Sequence, residues 1–139
     1  MGFENITNVR GGCMMKDYKY YVGEFLKTLS KMCLSPDDYE NPKLTTKVHN
    51  RAVDQYRIIK AVLEENHELA EKVYSELMEI NDVKVQFYAA AHCLELNINT
   101  ARAEEILENI ERTGEKWAVM FAERNLKIWR GEINPDDPW

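Results

Sequence analysis

The chain has 139 residues, 45% of them hydrophobic and 30% charged, with a formal net charge of −6. That is enough for one domain with a real core and too little for two. An acidic balance argues against a dedicated nucleic-acid binder, whose affinity comes from clustered Lys and Arg displacing counterions, and suits a basic protein partner better.

In chain order, the opening "MGFENITNVRGGCMMKDYKYY" lacks the apolar core and cleavage site of a signal peptide, and Ile6 stands where myristoylation wants Ser or Thr. Residues 1–15 read as a loose N-terminal arm, residues 16–132 as one helical-repeat domain and residues 133–139 as a C-terminal tail. Tyr18, Tyr21, Val22, Phe25, Leu26, Leu29 and Met32 recur at intervals of three and four and predict a first helix over about Asp17 to Cys33. "SPDDYENPK", from Ser35 to Lys43, is loop chemistry. A longer second helix follows on Leu44, Val48, Ala52, Tyr56, Ile59 and Leu63, with Thr45 or Thr46 near its start.

Leu69, Val73, Leu77 and Ile80 mark a third helix. The stretch "VKVQFYAAAHCLELN", Val83 to Asn97, makes a fourth; Ile106, Leu107 and Ile110 belong to a fifth, and Trp117, Met120, Phe121, Leu126 and Trp129 to a sixth. Gly131 and two prolines then stop the pattern and leave an extended tail. Sliding the chain by 33 residues places Ala70-Glu71 on Ala103-Glu104, Val73 on Ile106, Leu77 on Ile110, Tyr88 on Phe121 and Ala89 on Ala122. A period near 33 with two short helices per unit is the mark of a stacked α-repeat, in which each hairpin buries its apolar faces against the next. The expected architecture is all-α, a single-domain stack of about six helices resembling an armadillo/HEAT α-α superhelix.

Chemistry-bearing residues are few. His92 and Cys93 lie about 100° apart on the fourth helix, so they cannot share a metal or act as base and nucleophile without a third element. Because that helix is apolar on two sides, it reads as the middle of the stack, His92 as a core-edge histidine with one ring nitrogen hydrogen-bonded, and Cys93 as a small hydrophobe. His67-Glu68-Leu69-Ala70-Glu71 fails as a zinc-protease motif because Glu71 replaces the second histidine. His49 has Val53 at the position four residues on. Cys13, Cys33 and Cys93 have no short spacing, which points to reduced thiols in a cytoplasm rather than a disulfide framework. No phosphate loop, nucleophile elbow or long apolar span occurs. The expectation is therefore no catalytic residue, no metal, no cofactor, no nucleic acid and no membrane.

The charge is unevenly spread. Residues 1–63 hold 10 Lys/Arg against 7 Asp/Glu, and residues 64–139 hold 8 against 17. "EENHELAE" and "AEEILENIE" place Glu64, Glu65, Glu68, Glu71, Glu104, Glu105 and Glu108 on what read as the first helices of the two units, a candidate partner-binding ridge. A solvated surface and helix-dipole effects account for part of it. Tyr18, Tyr20, Tyr21, Trp117, Trp129 and Trp139 are candidate interface anchors, with core packing the better reading for most and Trp139 the exception.

From about Lys47 onward, Asn50-Arg51-Ala52, the block from Val85 to His92 ending "AAAH", "ARAEEILENI" and "FAERNLKIWRGE" resemble a bacterial domain-of-unknown-function family with armadillo/HEAT-like repeats. The resemblance implies the fold and an association with small protein-binding proteins, including immunity proteins encoded beside secreted toxins; it implies no catalytic residues. The expected function is non-catalytic protein binding, with an acidic helical surface occluding a basic toxin domain such as a nuclease. A general scaffold or adaptor is the alternative, and an enzyme, such as a helical-repeat DNA glycosylase, comes third.

Overall fold

The structure, a computed structural model, describes residues 17–138. The expectations for residues 1–15, Cys13 and Trp139 lie outside the described residues. Seven helices follow one another: α1 (Tyr18–Leu29), α2 (Pro36–Glu40), α3 (Thr46–Glu64), α4 (His67–Met78), α5 (Val83–Leu96), α6 (Thr100–Thr113) and α7 (Lys116–Trp129). This is the all-α, single-domain stack expected, with one more helix than the apolar spacing revealed.

The additional helix is α2, inside the segment read as loop. Ser35 caps it, its hydroxyl accepting from the Asp38 N–H while the Asp38 carboxylate accepts from the Ser35 N–H, and Pro36 opens the first turn. The reciprocal cap satisfies two donors that a five-residue helix otherwise leaves unpaired. α1 is shorter than expected. It ends at Leu29, where the Ser30 N–H turns back onto the Leu26 and Thr28 carbonyls.

α1 lies against α3 and α4, α4 against α5, α5 against both α6 and α7, and α6 against α7. α5 is thus the middle of the stack, as its two apolar sides imply. Its alanines let the neighbours in: Ala89 and Ala90 are fully buried. Apolar stripes from every long helix meet in one core that includes Phe25, Leu63, Val73, Leu77, Leu107 and Leu126. Burying a side chain of that size contributes about 1.5–3 kcal/mol, far above any surface charge pair here.

The 33-residue offset holds in the helix bounds. His67 begins α4 and Thr100 begins α6; Val83 begins α5 and Lys116 begins α7; Leu96 and Trp129 end them. The cap positions repeat as well, Asn66 with Asn99 and Asp82 with Glu115. Asn99 bridges the units instead of capping its own helix: it sits in the left-handed region at φ 48, and its Nδ2 donates to the Glu71 carbonyl at 3.2 Å. Asn97 takes the same conformation at φ 58 and ends α5, a role open to Asn because its short polar side chain tolerates positive φ.

The tail is not extended. Arg124 Nη2 on α7 donates to the carbonyls of Pro135 at 2.9 Å and Asp137 at 2.7 Å, folding the chain back as a turn. Among the described residues, no helix is long and apolar enough to cross a membrane.

Candidate functional site

The seven carboxylates read as one ridge fall into three environments. Glu64 ends α3 and Glu65 caps it, so neither belongs to the first helix of a repeat unit. Glu68 and Glu71 stand on the exposed side of α4, joined by Glu76. Glu65, Glu68, Glu71 and Glu76 have no ion pair among the described residues. Glu71 and Glu76, with Tyr18, Lys72, Ser75 and Asn99, line an open hollow of about 620 Å³.

The carboxylates of the second unit are occupied. Arg130 Nη2, at the C-terminus of α7, reaches Glu108 at 2.6 Å and Glu104 at 3.4 Å; Arg102 reaches Glu105 at 2.6 Å and Glu79 at 3.4 Å. Nor does the ridge repeat position by position, because the offset sets only Glu71 on Glu104, while Glu68 meets Ala101 and Ser75 meets Glu108. Of the seven ridge carboxylates, the ones on a repeat helix that lack an ion pair among the described residues are Glu68 and Glu71 of α4.

A second charged surface has the opposite sign. Lys27 of α1, Lys31 just after it, Lys43 before α3 and Arg51 of α3 surround Leu44 and Val48 in a groove of about 440 Å³, with Glu24 on its rim. None of the four cations has an ion-pair partner among the described residues.

The candidate anchors divide as follows. Tyr21 is buried; Tyr18, Trp117 and Trp129 are half-buried against the core; Tyr20 is exposed.

His92 is not at the edge of the core: it is only 2% exposed. α4, α5 and α3 converge on it. Its ring meets Tyr74 of α4 edge-on, and its Nδ1 is hydrogen-bonded to the Tyr74 hydroxyl. Nε2 points at the end of α3, 3.6 Å from Glu64 Oε2 and 3.8 Å from Glu95 Oε1, and makes no hydrogen bond. Lys60 Nζ, from the preceding turn of α3, pairs with Glu95 Oε1 at 3.0 Å. Burial, helped by the Lys60 ammonium, pushes the imidazole down to about 3, so the ring is neutral and its approach to the carboxylates is not an ion pair. Burial likewise holds the Tyr74 phenol protonated, and Tyr56, Cys93, Glu64 and Glu95 add to the effect.

The third element that could bring His92 toward other ligating groups is thus α3. Glu64, His92 and Glu95 form a set in which one ligand atom from each lies within 4.8 Å of the others. Lys60, Tyr74 and Glu95 were not legible as site residues, although one local signal was present: His92 and Glu95 are three apart on a helix and share a face. Cys93 turns away from them. It is fully buried, and burial pushes its thiol up to about 12, so it serves as a small hydrophobe.

The remaining histidines have other places. His49 Nδ1 accepts from the Cys33 N–H at 2.9 Å, fastening α3 to the segment after α1. His67 is exposed at the start of α4. Comparison with protein-family models, with curated proteins and with solved structures returned no match.

Proposed function

We propose that the protein is a non-catalytic protein-binding module, and that it acts as an immunity protein that neutralises a basic toxin domain by occluding it. The observation that carries this reading is the surface running from the α3 cap along α4, where Glu65, Glu68, Glu71 and Glu76 lack cationic partners among the described residues and where Glu71 and Glu76 line an open hollow. Carboxylates held on a rigid helix stand in for the phosphates that a nuclease's Lys and Arg would grip, and Tyr18 at the rim offers an aromatic contact. The family resemblance of the segments from Lys47 onward and a cytoplasmic location, where the free thiols of Cys33 and Cys93 persist, belong to the same proposal.

The test is capture from a lysate of the native host on the full chain, beside a variant carrying Glu65→Lys, Glu68→Lys and Glu71→Lys. The expected result is a basic secreted-toxin fragment held by the parent and lost by the variant, with an association rate that falls as salt rises. Recovery of metabolic enzymes alone, or a salt-independent rate, overturns it. The basic groove between α1 and α3 favours the second reading, a scaffold or adaptor that joins two partners of opposite charge. A partner retained by the α4 variant and lost on Lys27→Glu with Lys31→Glu would support that reading instead.

A further inference from the structure

We propose that Glu64, His92 and Glu95 hold one zinc ion, beside the Lys60 ammonium that pairs with Glu95. The ligating atoms are Glu64 Oε2, His92 Nε2 and Glu95 Oε1, drawn from the C-terminal turn of α3 and the last turns of α5.

Three observations support the assignment. The first is the orphaned nitrogen: Nε2 sits on a side chain only 1% exposed and has no hydrogen-bond partner, yet it points at two carboxylates that are both too distant to accept from it. Buried polar atoms in folded proteins are nearly always satisfied, and a metal satisfies a nitrogen lone pair. The second is spacing. Imidazole–zinc bonds of about 2.0–2.1 Å and carboxylate–zinc bonds of about 2.0–2.2 Å set tetrahedral ligand atoms about 3.4 Å apart. The nitrogen-to-oxygen separations of 3.6 and 3.8 Å lie just above this, and both carboxylates are on side chains exposed enough to rotate inward. The third is the hydrogen bond behind the ring. The hydrogen bond between Nδ1 and the Tyr74 hydroxyl holds the ring in orientation, as the outer partners of metal-bound histidines do, and the tautomer that carries its proton on Nδ1 leaves the lone pair on Nε2 for the metal.

Charge completes the case. Glu95 is paired with the Lys60 ammonium and Glu64 with no Lys or Arg among the described residues, and a divalent ion neutralises both carboxylates. Lys60 therefore competes for Glu95, and it has solvent to move into, its side chain being 27% exposed. The fourth position on the ion, on the solvent side, is left to water.

The experiment is titration of the metal-free full chain with zinc chloride, followed by calorimetry, by thermal melting and by the nitrogen resonances of the histidine rings. The expected result is one ion per chain, a raised melting temperature and a shift of the His92 Nε2 resonance with those of His49 and His67 unmoved. Glu64→Gln and Glu95→Gln, both on exposed side chains that leave the core untouched, are expected to abolish these responses. Tyr74→Phe should weaken binding by about 10- to 100-fold, and Lys60→Gln should tighten it. Absence of zinc binding by the parent chain overturns the proposal. So does binding that survives in the Glu64→Gln/Glu95→Gln chain, which would place the ion elsewhere on the acidic surface.

Discussion

The hairpins α4–α5 and α6–α7 share their starts and their small buried residues, and yet only the first contains a buried tyrosine and histidine in its interior. Where the first has Tyr74, His92, Cys93 and Glu95, the second has Leu107, Asn125, Leu126 and Ile128 at the same offset. Leu107 and Leu126 fill their positions with almost no exposure, and Asn125 satisfies itself locally, its Nδ2 donating to the Phe121 carbonyl at 2.9 Å. The repeat therefore packs without an interior tyrosine or histidine. What the comparison teaches is that the Tyr74–His92 pair is an addition to the scaffold rather than a part of it, and that a reason for it is to be sought at Glu64 and Glu95.

The sharpest way to break this comparison is to weaken each hairpin at matched positions. Leu107→Ala removes a fully buried side chain from between α5, α6 and α7 and is expected to cost about 2–5 kcal/mol in urea denaturation, since the cavity cannot collapse between three helices. Tyr74→Leu gives the first hairpin the residue of the second. It keeps most of the volume but strands Nδ1 of a buried imidazole, so it should cost about 1–3 kcal/mol. Adding His92→Leu removes the stranded group, and the double variant should recover much of that loss. If the double variant were less stable than the sum of the two single ones, the pair would be part of the scaffold after all.

A second difference lies at the start of α5, where Lys84 stands in the first hairpin and Trp117 in the second. Lys84 Nζ donates to the Met32 carbonyl at 2.7 Å and pairs with Asp38 Oδ2 at 3.0 Å, pinning α2 to the stack; the two side chains are 17% and 20% exposed. Burial by itself would raise the Asp38 carboxyl, but the N–H groups of Leu34 and Ser35 and the Lys84 ammonium outweigh it and hold the group below its ordinary 3.8. The unfolded chain thus takes up the proton first. The stabilisation is full above the ordinary value and is lost as pH falls through the lowered folded value. Asp38→Asn should cost about 1–3 kcal/mol at neutral pH, and the gap between parent and variant should close below about pH 4. A gap of constant size across that range would mean that Asp38 acts through the cap of α2 and not through its charge.

The scaffold was legible because it follows local rules. Apolar residues three and four apart gave six of the seven helices, and the match of Ala70, Val73 and Leu77 with Ala103, Ile106 and Ile110 gave the repeat, since each pair shares its burial. α2 was missed although Ser35 and Asp38 carry the spacing of a capping box, because two prolines and a run of polar residues outweigh so short a signal. The polar cluster was legible only in part. His92 and Glu95 share a face within one helix, but Glu64 lies 28 positions before His92, and only the packing of α3 beside α5 places its carboxylate there. The same limit hid the pairing of Glu104 and Glu108. Arg130 is 22 positions beyond Glu108, so an acidic run counted along the chain looked like a free ridge.

Those arginines supply the mildest test. Arg130 bridges Glu104 and Glu108 from the exposed end of α7, where the helix dipole also favours a cation, and Arg102 bridges Glu79 and Glu105 across the junction of the units. Such exposed pairs gain little in water and are screened by salt. Arg130→Ala with Arg102→Ala should leave the melting temperature nearly where it was, a smaller change than any of those above. The electrostatic consequence is the larger one, because Glu79 after α4 and Glu104, Glu105 and Glu108 of α6 all lose their partners. If net acidity alone recruited a basic partner, that variant would associate faster at low salt. If the hollow beside Glu71 and Tyr18 sets the geometry, the association rate of the partner should rise only slightly and its dissociation rate should not change, because the added charge lies outside the contact.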